Sequence, residues 1–148
     1  MENQQQKKIF GASKNDIVTI TTDGGSRGNP GPAACGYTID GVGYGEYLGV
    51  KTNNEAEYAG IIGALKKARA LLGKAKAKQT EVDVRMDSEL LVRQFNNQYK
   101  ISVPHLMPLY VEVHNLTLDF KKVTFAHIYR EQNKAADAMV NKALDEHR

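Results

Sequence analysis

Six β-branched residues in a row, Ile17-Val18-Thr19-Ile20-Thr21-Thr22, stop at Asp23 and give way to Gly24-Gly25-Ser26-Arg27-Gly28-Asn29-Pro30-Gly31-Pro32. Branching at Cβ suits a pleated surface, and an unbroken run of this kind reads as a strand covered on both faces. The Gly- and Pro-rich stretch behind it reads as loop. A second strand, about Ala33 to Ile39, meets Asp40-Gly41, a hairpin signal, and a third runs through Tyr44 to Val50. Three successive antiparallel strands are expected.

Then the period changes. From Asn54 onward, Ala56, Ala59, Ile62, Leu65, Ala68 and Leu72 recur at helical spacing, with Asn53 or Asn54 as N-cap and Gly73 as the stop. Residues 73–80 read as a lysine-rich connector. Val82, Val84 and Met86 alternate with charged residues as a strand does. Ser88 caps a short helix to about Asn96, and Pro104 opens another whose apolar side runs to Phe120. A fifth strand covers Lys122 to Ile128, and Asn133 starts the last helix. The order βββαβααβα describes an α/β chain with a mixed sheet.

At 148 residues this is one domain, with residues 16–148 as its body and the Gln-, Lys- and Asn-rich residues 1–15 as a flexible tail. A single cysteine, Cys35, excludes an internal disulfide and a cysteine-based zinc site, and the four histidines lack zinc-ligand spacing. No apolar run approaches the ~20 residues that span a bilayer. MENQQQKK is no secretory signal. A cytoplasmic, monomeric protein without membrane partners is expected. The net charge of +3 is compatible with a polyanionic partner but does not demand one.

Four carboxylates occupy the ends of elements. Asp23 and Asp87 close the first and fourth strands; Glu57 and Asp137 lie in the first turns of the first and last helices. Each alone has a plain explanation, since acidic residues favour helix N-termini and often begin turns. Parallel first and fourth strands would bring them together, because ligands gather beyond the carboxyl ends of such strands. Clustered carboxylates repel unless a cation neutralises them, and hard oxygen donors select Mg²⁺ or Mn²⁺.

Thr22 to Pro32 resembles the opening signature of the type 1 ribonuclease H family. Thr52-Asn53-Asn54-Glu55-Ala56-Glu57, Met86-Asp87-Ser88, and the set His127, Arg130-Glu131, Asn133 and Ala136-Asp137 resemble its later motifs, in order and at matching spacing. The resemblance implies a five-stranded mixed sheet, three antiparallel strands then parallel ones, with helices on both faces. It also implies endonucleolytic cleavage of the RNA strand of RNA–DNA hybrids, leaving 5′-phosphate and 3′-hydroxyl ends. Asp23, Glu57, Asp87 and Asp137 would hold two Mg²⁺ ions, with Mn²⁺ as a substitute. Asp23 would bridge both, Asp137 would serve the ion at the attacking water, and Glu57 and Asp87 the ion at the departing 3′-oxygen. His127 falls where the family has a histidine assisting proton transfer or product departure. Gly24, Gly25, Ser26, Asn29, Thr52, Asn53, Asn54 and Asn133 are the implied substrate contacts.

The chain also departs from the better-known bacterial members. Asn96 to Pro104 replaces their basic, Trp-rich insertion, no Trp is present, and only Phe95 and Tyr99 could rebuild an aromatic track for the DNA strand. The usual arginine two residues before Thr52 is Val50, so weaker substrate binding is expected. Lys66, Lys67, Arg69, Lys74, Lys76 and Lys78 form a basic cluster, expected as a solvated face because it leads into the opposite end of the fourth strand. Two other readings stay open: a non-catalytic module binding hybrid or structured RNA, and a DNA-processing enzyme of the same superfold.

Overall fold

The computed structural model describes residues 17–147; the expected tail at 1–15 lies outside them. The strands are β1 (Ile17–Ser26), β2 (Gly31–Ile39), β3 (Val42–Lys51), β4 (Glu81–Met86) and β5 (Lys122–His127). The helices are α1 (Asn53–Leu72), α2 (Lys74–Ala77), α3 (Glu89–Phe95), α4 (Met107–Thr117) and α5 (Lys134–Glu146), with single 3₁₀ turns at Pro104–Leu106 and Arg130–Gln132. The strands pair in the order β3-β2-β1-β4-β5, with β1–β2 and β2–β3 antiparallel and β1–β4 and β4–β5 parallel. The expected five-stranded mixed sheet is therefore present.

Helices cover both faces unequally. Val18, Ile20, Val82 and Val84 pack under α1, α3 and α4 with Tyr58, Ile61, Leu65, Leu91 and Val113, forming the main core. On the other face Val140 and Leu144 of α5 cover Ala34. Full burial of one Leu- or Ile-sized side chain stabilises by about 1.5–3 kcal/mol, so the thick layer under α1 carries most of the stability. Among the described residues no helix is long and apolar enough to cross a membrane.

Three boundaries differ from expectation. β1 does not stop at Asp23: Gly24, Gly25 and Ser26 continue the ladder opposite Cys35, Ala34 and Ala33. Composition marks glycines as loop, but a partner strand that supplies the backbone hydrogen bonds overrides it. The N-cap of α1 is Thr52, not Asn53 or Asn54. Its Oγ1 accepts from the Glu55 N–H (3.2 Å) and the Thr52 N–H donates to Glu55 Oε1 (3.0 Å), a reciprocal capping box. The connector contains a helical turn, α2, reached through Gly73 at φ +82°, where a side chain would be strained.

Candidate active site

The parallel register of β1 and β4 runs from Ile17↔Glu81 to Thr22↔Met86. Asp23 and Asp87 are the next residue of each segment, so they stand side by side where the β1–β4 pairing ends. Val18, Ile20 and Thr22 are buried on the α1 face, and the alternation of a strand sends Asp23 to the opposite face, where α5 lies.

Two glycines let the other carboxylates approach. A Cβ on Gly24 would stand 2.2 Å from the Ala56 carbonyl oxygen, so only glycine admits the first turn of α1, which carries Glu57. A Cβ on Gly36 would stand 2.4 Å from the Ala136 carbonyl oxygen, so only glycine admits the first turn of α5, which carries Asp137. Gly24 is thus required for helix packing. Gly25 is different: a Cβ there would meet nothing within 4 Å.

Charges inside this corner are poorly relieved. Burial, then the neighbouring Asp87, then Asp137, push the Asp23 carboxyl up to about 7, although Asp23 Oδ1 accepts the Gly24 N–H at 2.9 Å. Burial pushes Glu57 up to about 7 as well; Asp87 adds to this and a hydrogen bond with Ser88 opposes it. Glu57 Oε2 is buried without a hydrogen-bond partner among the described residues. The four are thus in electrostatic contact as a row, Asp137–Asp23–Asp87–Glu57. They do not close into a cage: among the described residues no three of His, Cys, Asp and Glu form a ready metal-binding group. The donor set nonetheless fits a hard cation. It is all oxygen, it is half-buried except at exposed Asp137, and its orphaned Glu57 oxygen and raised carboxyls need positive charge.

A cleft of about 470 Å³ holds all four, bordered by Gly24, Gly25, Ser26 and Asn53 on one side and Arg130 and Asn141 on the other. Ser26 donates both its N–H (2.9 Å) and its hydroxyl (3.0 Å) to Asn53 Oδ1, and Asn29 Oδ1 accepts the Asn53 N–H (3.1 Å). The loop and the start of α1 are therefore clamped to each other. Asn54 is half-buried in the first turn, and Thr52 is engaged in its cap. A larger cavity of about 600 Å³ lies between α4 and the β5 edge, but no carboxylate lines it, whereas the smaller cleft holds all four.

Other expected residues are placed differently. His127 is exposed at the tip of β5, beside Met86 in register, with its ring edge-on to Tyr129 at 5.4 Å; it does not line the cleft. Asn133, expected as a substrate contact, is only 1% exposed; buried, it faces Thr22 and Asp87 instead. Phe95 is stacked between Tyr110 (5.6 Å) and Phe125 (4.8 Å) and offers no free face, leaving half-exposed Tyr99 beneath the Arg93 guanidinium. Arg130 and Asn141 are among the cleft residues that escaped the sequence reading of the site. Arg130 sits within a quoted motif, and Asn141 follows Asp137 by one helical turn, the only signals either gave. In the basic cluster, Lys66 pairs with Glu112 (3.0 Å), Lys67 lies over the Tyr44 ring and Lys78 Nζ donates to the Leu118 carbonyl, all remote from the cleft.

Comparison with known proteins agrees with this fold. The family described as "Reverse transcriptase-like" matches residues 33–143. Ribonuclease HI of Halobacterium salinarum is 36% identical, over 93% of this chain and 75% of that protein. A bifunctional protein of Mycobacterium tuberculosis is 38% identical over 86% of this chain, which spans 35% of the mycobacterial protein's length. Among solved structures, LC11-RNase H1 in complex with an RNA/DNA hybrid superposes with a TM-score of 0.82 at 39% identity, covering 88% of this chain and 98% of that one. RNase H1 of Halobacterium salinarum gives a TM-score of 0.79 at 36% identity, over 88% and 99% of the two chains. With sheet order, motif order and these relatives in agreement, the chain belongs to the type 1 ribonuclease H family.

Proposed function

We propose that this chain is an endoribonuclease that cuts the RNA strand of RNA–DNA hybrids with two divalent cations, Mg²⁺ or in its place Mn²⁺, leaving 5′-phosphate and 3′-hydroxyl ends. The observation that carries the reading is the row of four carboxylates at the open end of β1 and β4. Asp23 touches both Asp137 and Asp87, which supports Asp23 as the shared ligand, Asp137 at one ion, and Asp87 with Glu57 at the other. When bound, such ions supply activation of the attacking water and stabilisation of the departing 3′-oxygen.

The remaining residues orient substrate and protons. The open Gly25 backbone leaves room for a ribose, whose 2′-hydroxyl donates and accepts and so separates RNA from DNA. Asn53, held by Ser26, and Asn29 beside it present the clamped loop to the minor groove. His127, exposed at the tip of β5 outside the cleft, would assist proton transfer or product departure. A hybrid-bound relative of the same fold supports the substrate class.

The test is incubation of the purified, folded protein with a hybrid labelled on the RNA strand, with Mg²⁺, with Mn²⁺ and with chelator. Cleavage of that strand in either metal, none in chelator, and little cleavage of single-stranded RNA or duplex DNA are expected. Tight binding without any product would make the chain a binding module instead.

A further inference from the structure

Asn133 makes the link that spans most of the site. Its Nδ2 donates to the Thr22 carbonyl oxygen at 2.9 Å and to Asp87 Oδ2 at 3.5 Å. Its main-chain carbonyl oxygen accepts the Asp137 N–H at 3.2 Å, an ordinary bond of the first helical turn. Thr22 is the residue before Asp23, so the Asn133 amide ties the start of α5, which carries Asp137, to the carriers of two other carboxylates, β1 and the end of β4. The fourth, Glu57, is held separately by Ser88.

Packing alone does not explain an amide here. The side chain is fully buried, and its Oδ1 has no partner among the described residues. A buried acceptor left unpaired costs about 1–3 kcal/mol, a cost that the amide carries alongside its two donor contacts. The Asp87 contact, at 3.5 Å, is long for an N–H···O bond, and the Thr22 bond is the stronger of the two. Aspartate would fit the space, but it lacks the two N–H donors and would add a fifth negative group.

We propose that Asn133 is a positioning residue, which holds Asp23, Asp87 and Asp137 in register for a divalent cation and does not touch the hybrid. The inference rests on the proposed two-cation reading and assigns a part of it. Groups that orient metal ligands from behind typically contribute 10–100-fold to metal affinity or activity.

Three measurements on wild type, Asn133→Leu and Asn133→Asp decide it: Mn²⁺ affinity by calorimetry, hybrid affinity in chelator by fluorescence anisotropy, and melting temperature. Both variants should bind Mn²⁺ about 10–100-fold more weakly, with hybrid affinity within about twofold of wild type. At fixed metal, kcat should fall while KM holds. Asn133→Leu exchanges one unpaired acceptor, its own Oδ1, for another, the Thr22 carbonyl, so it should melt near wild type and serve if Asn133→Asp folds poorly. Unchanged Mn²⁺ affinity in a folded variant overturns the proposal, whether or not hybrid binding suffers. Failure of both variants to fold assigns Asn133 to the fold alone and overturns it too. Wild type that binds Mn²⁺ but cuts no hybrid defeats the proposed activity, while the Mn²⁺ comparison still judges Asn133. Wild type that binds no Mn²⁺ defeats both.

Discussion

Asp23 and Gly36 face each other across the β1–β2 ladder: one supplies the central carboxylate of the cleft, and the other, by having no side chain, admits the helix that brings Asp137 to it. Gly24, the next residue of β1, does the same for Glu57 on the helix of the other face. The acidic site is thus assembled by two close backbone approaches, one on each face of the sheet.

Alanine at these glycines should therefore act on folding, and at Gly25 should not. Gly36→Ala forces a Cβ to within 2.4 Å of a backbone oxygen. A loss of about 3 kcal/mol or more is expected, visible as a fall of roughly 10 °C in Tm. Gly25→Ala should melt within a degree or two of wild type yet bind hybrid more weakly, because its Cβ enters the cleft. Thermal melts and hybrid titrations check both, and a stable Gly36→Ala protein would refute the packing argument.

Val50 is 67% exposed next to the clamped loop, and under the proposed function a basic side chain there would gain a phosphate contact. Replacing Val50 with Arg should tighten hybrid binding and steepen the dependence of log Kd on log salt by about one unit, the signature of one more phosphate contact. Affinity measured from low to moderate salt tests this. An unchanged slope would mean that no phosphate passes this position.

His127→Ala should slow turnover by about 10²-fold or less, whereas loss of Asp23 abolishes it, since a proton-handling group outside the cleft assists chemistry that the acidic row performs. The tip position of His127 on an edge strand predicts no change in Tm. Wild-type turnover in the variant would leave His127 without a role.

The period of the apolar residues revealed the strands and helices, and the placement of Asp23, Glu57, Asp87 and Asp137 at element ends revealed which side chains could meet. The illegible parts depended on partners distant in the chain. Gly24 and Gly25 looked like loop because nothing local shows that Cys35 and Ala34 will pair with them. Asn133 looked like a substrate contact because its burial follows from β1 and β4 closing over it, over a hundred residues from Thr22. His127 shared a motif with Asp137 but not its direction, since strand parity sends its side chain elsewhere.

The carboxylate row should cost the metal-free protein stability as pH rises. Asp23 and Glu57 have folded pKa values raised to about 7, above the ordinary 3.8 and 4.5. A raised folded pKa contributes stability that is fully present below the unfolded pKa and lost as pH climbs through the folded one. In chelator, Tm should therefore fall between about pH 4 and pH 8, on the order of 5–10 °C. Asp87 raises both neighbours, so Asp87→Asn removes one cause and leaves the larger one, burial. The variant should be inactive, should still lose stability with pH, but should lose less of it. It should melt a few degrees above wild type at pH 8 in chelator, and the gap should narrow at pH 4.5, where Asp23 and Glu57 are protonated in either protein. Saturating Mg²⁺ should reverse the order, because a cation that binds only the folded site stabilises wild type more. Melting curves at the two pH values decide it. An Asp87→Asn protein less stable than wild type at pH 8 in chelator would show that the contact from Asn133 outweighs the repulsion.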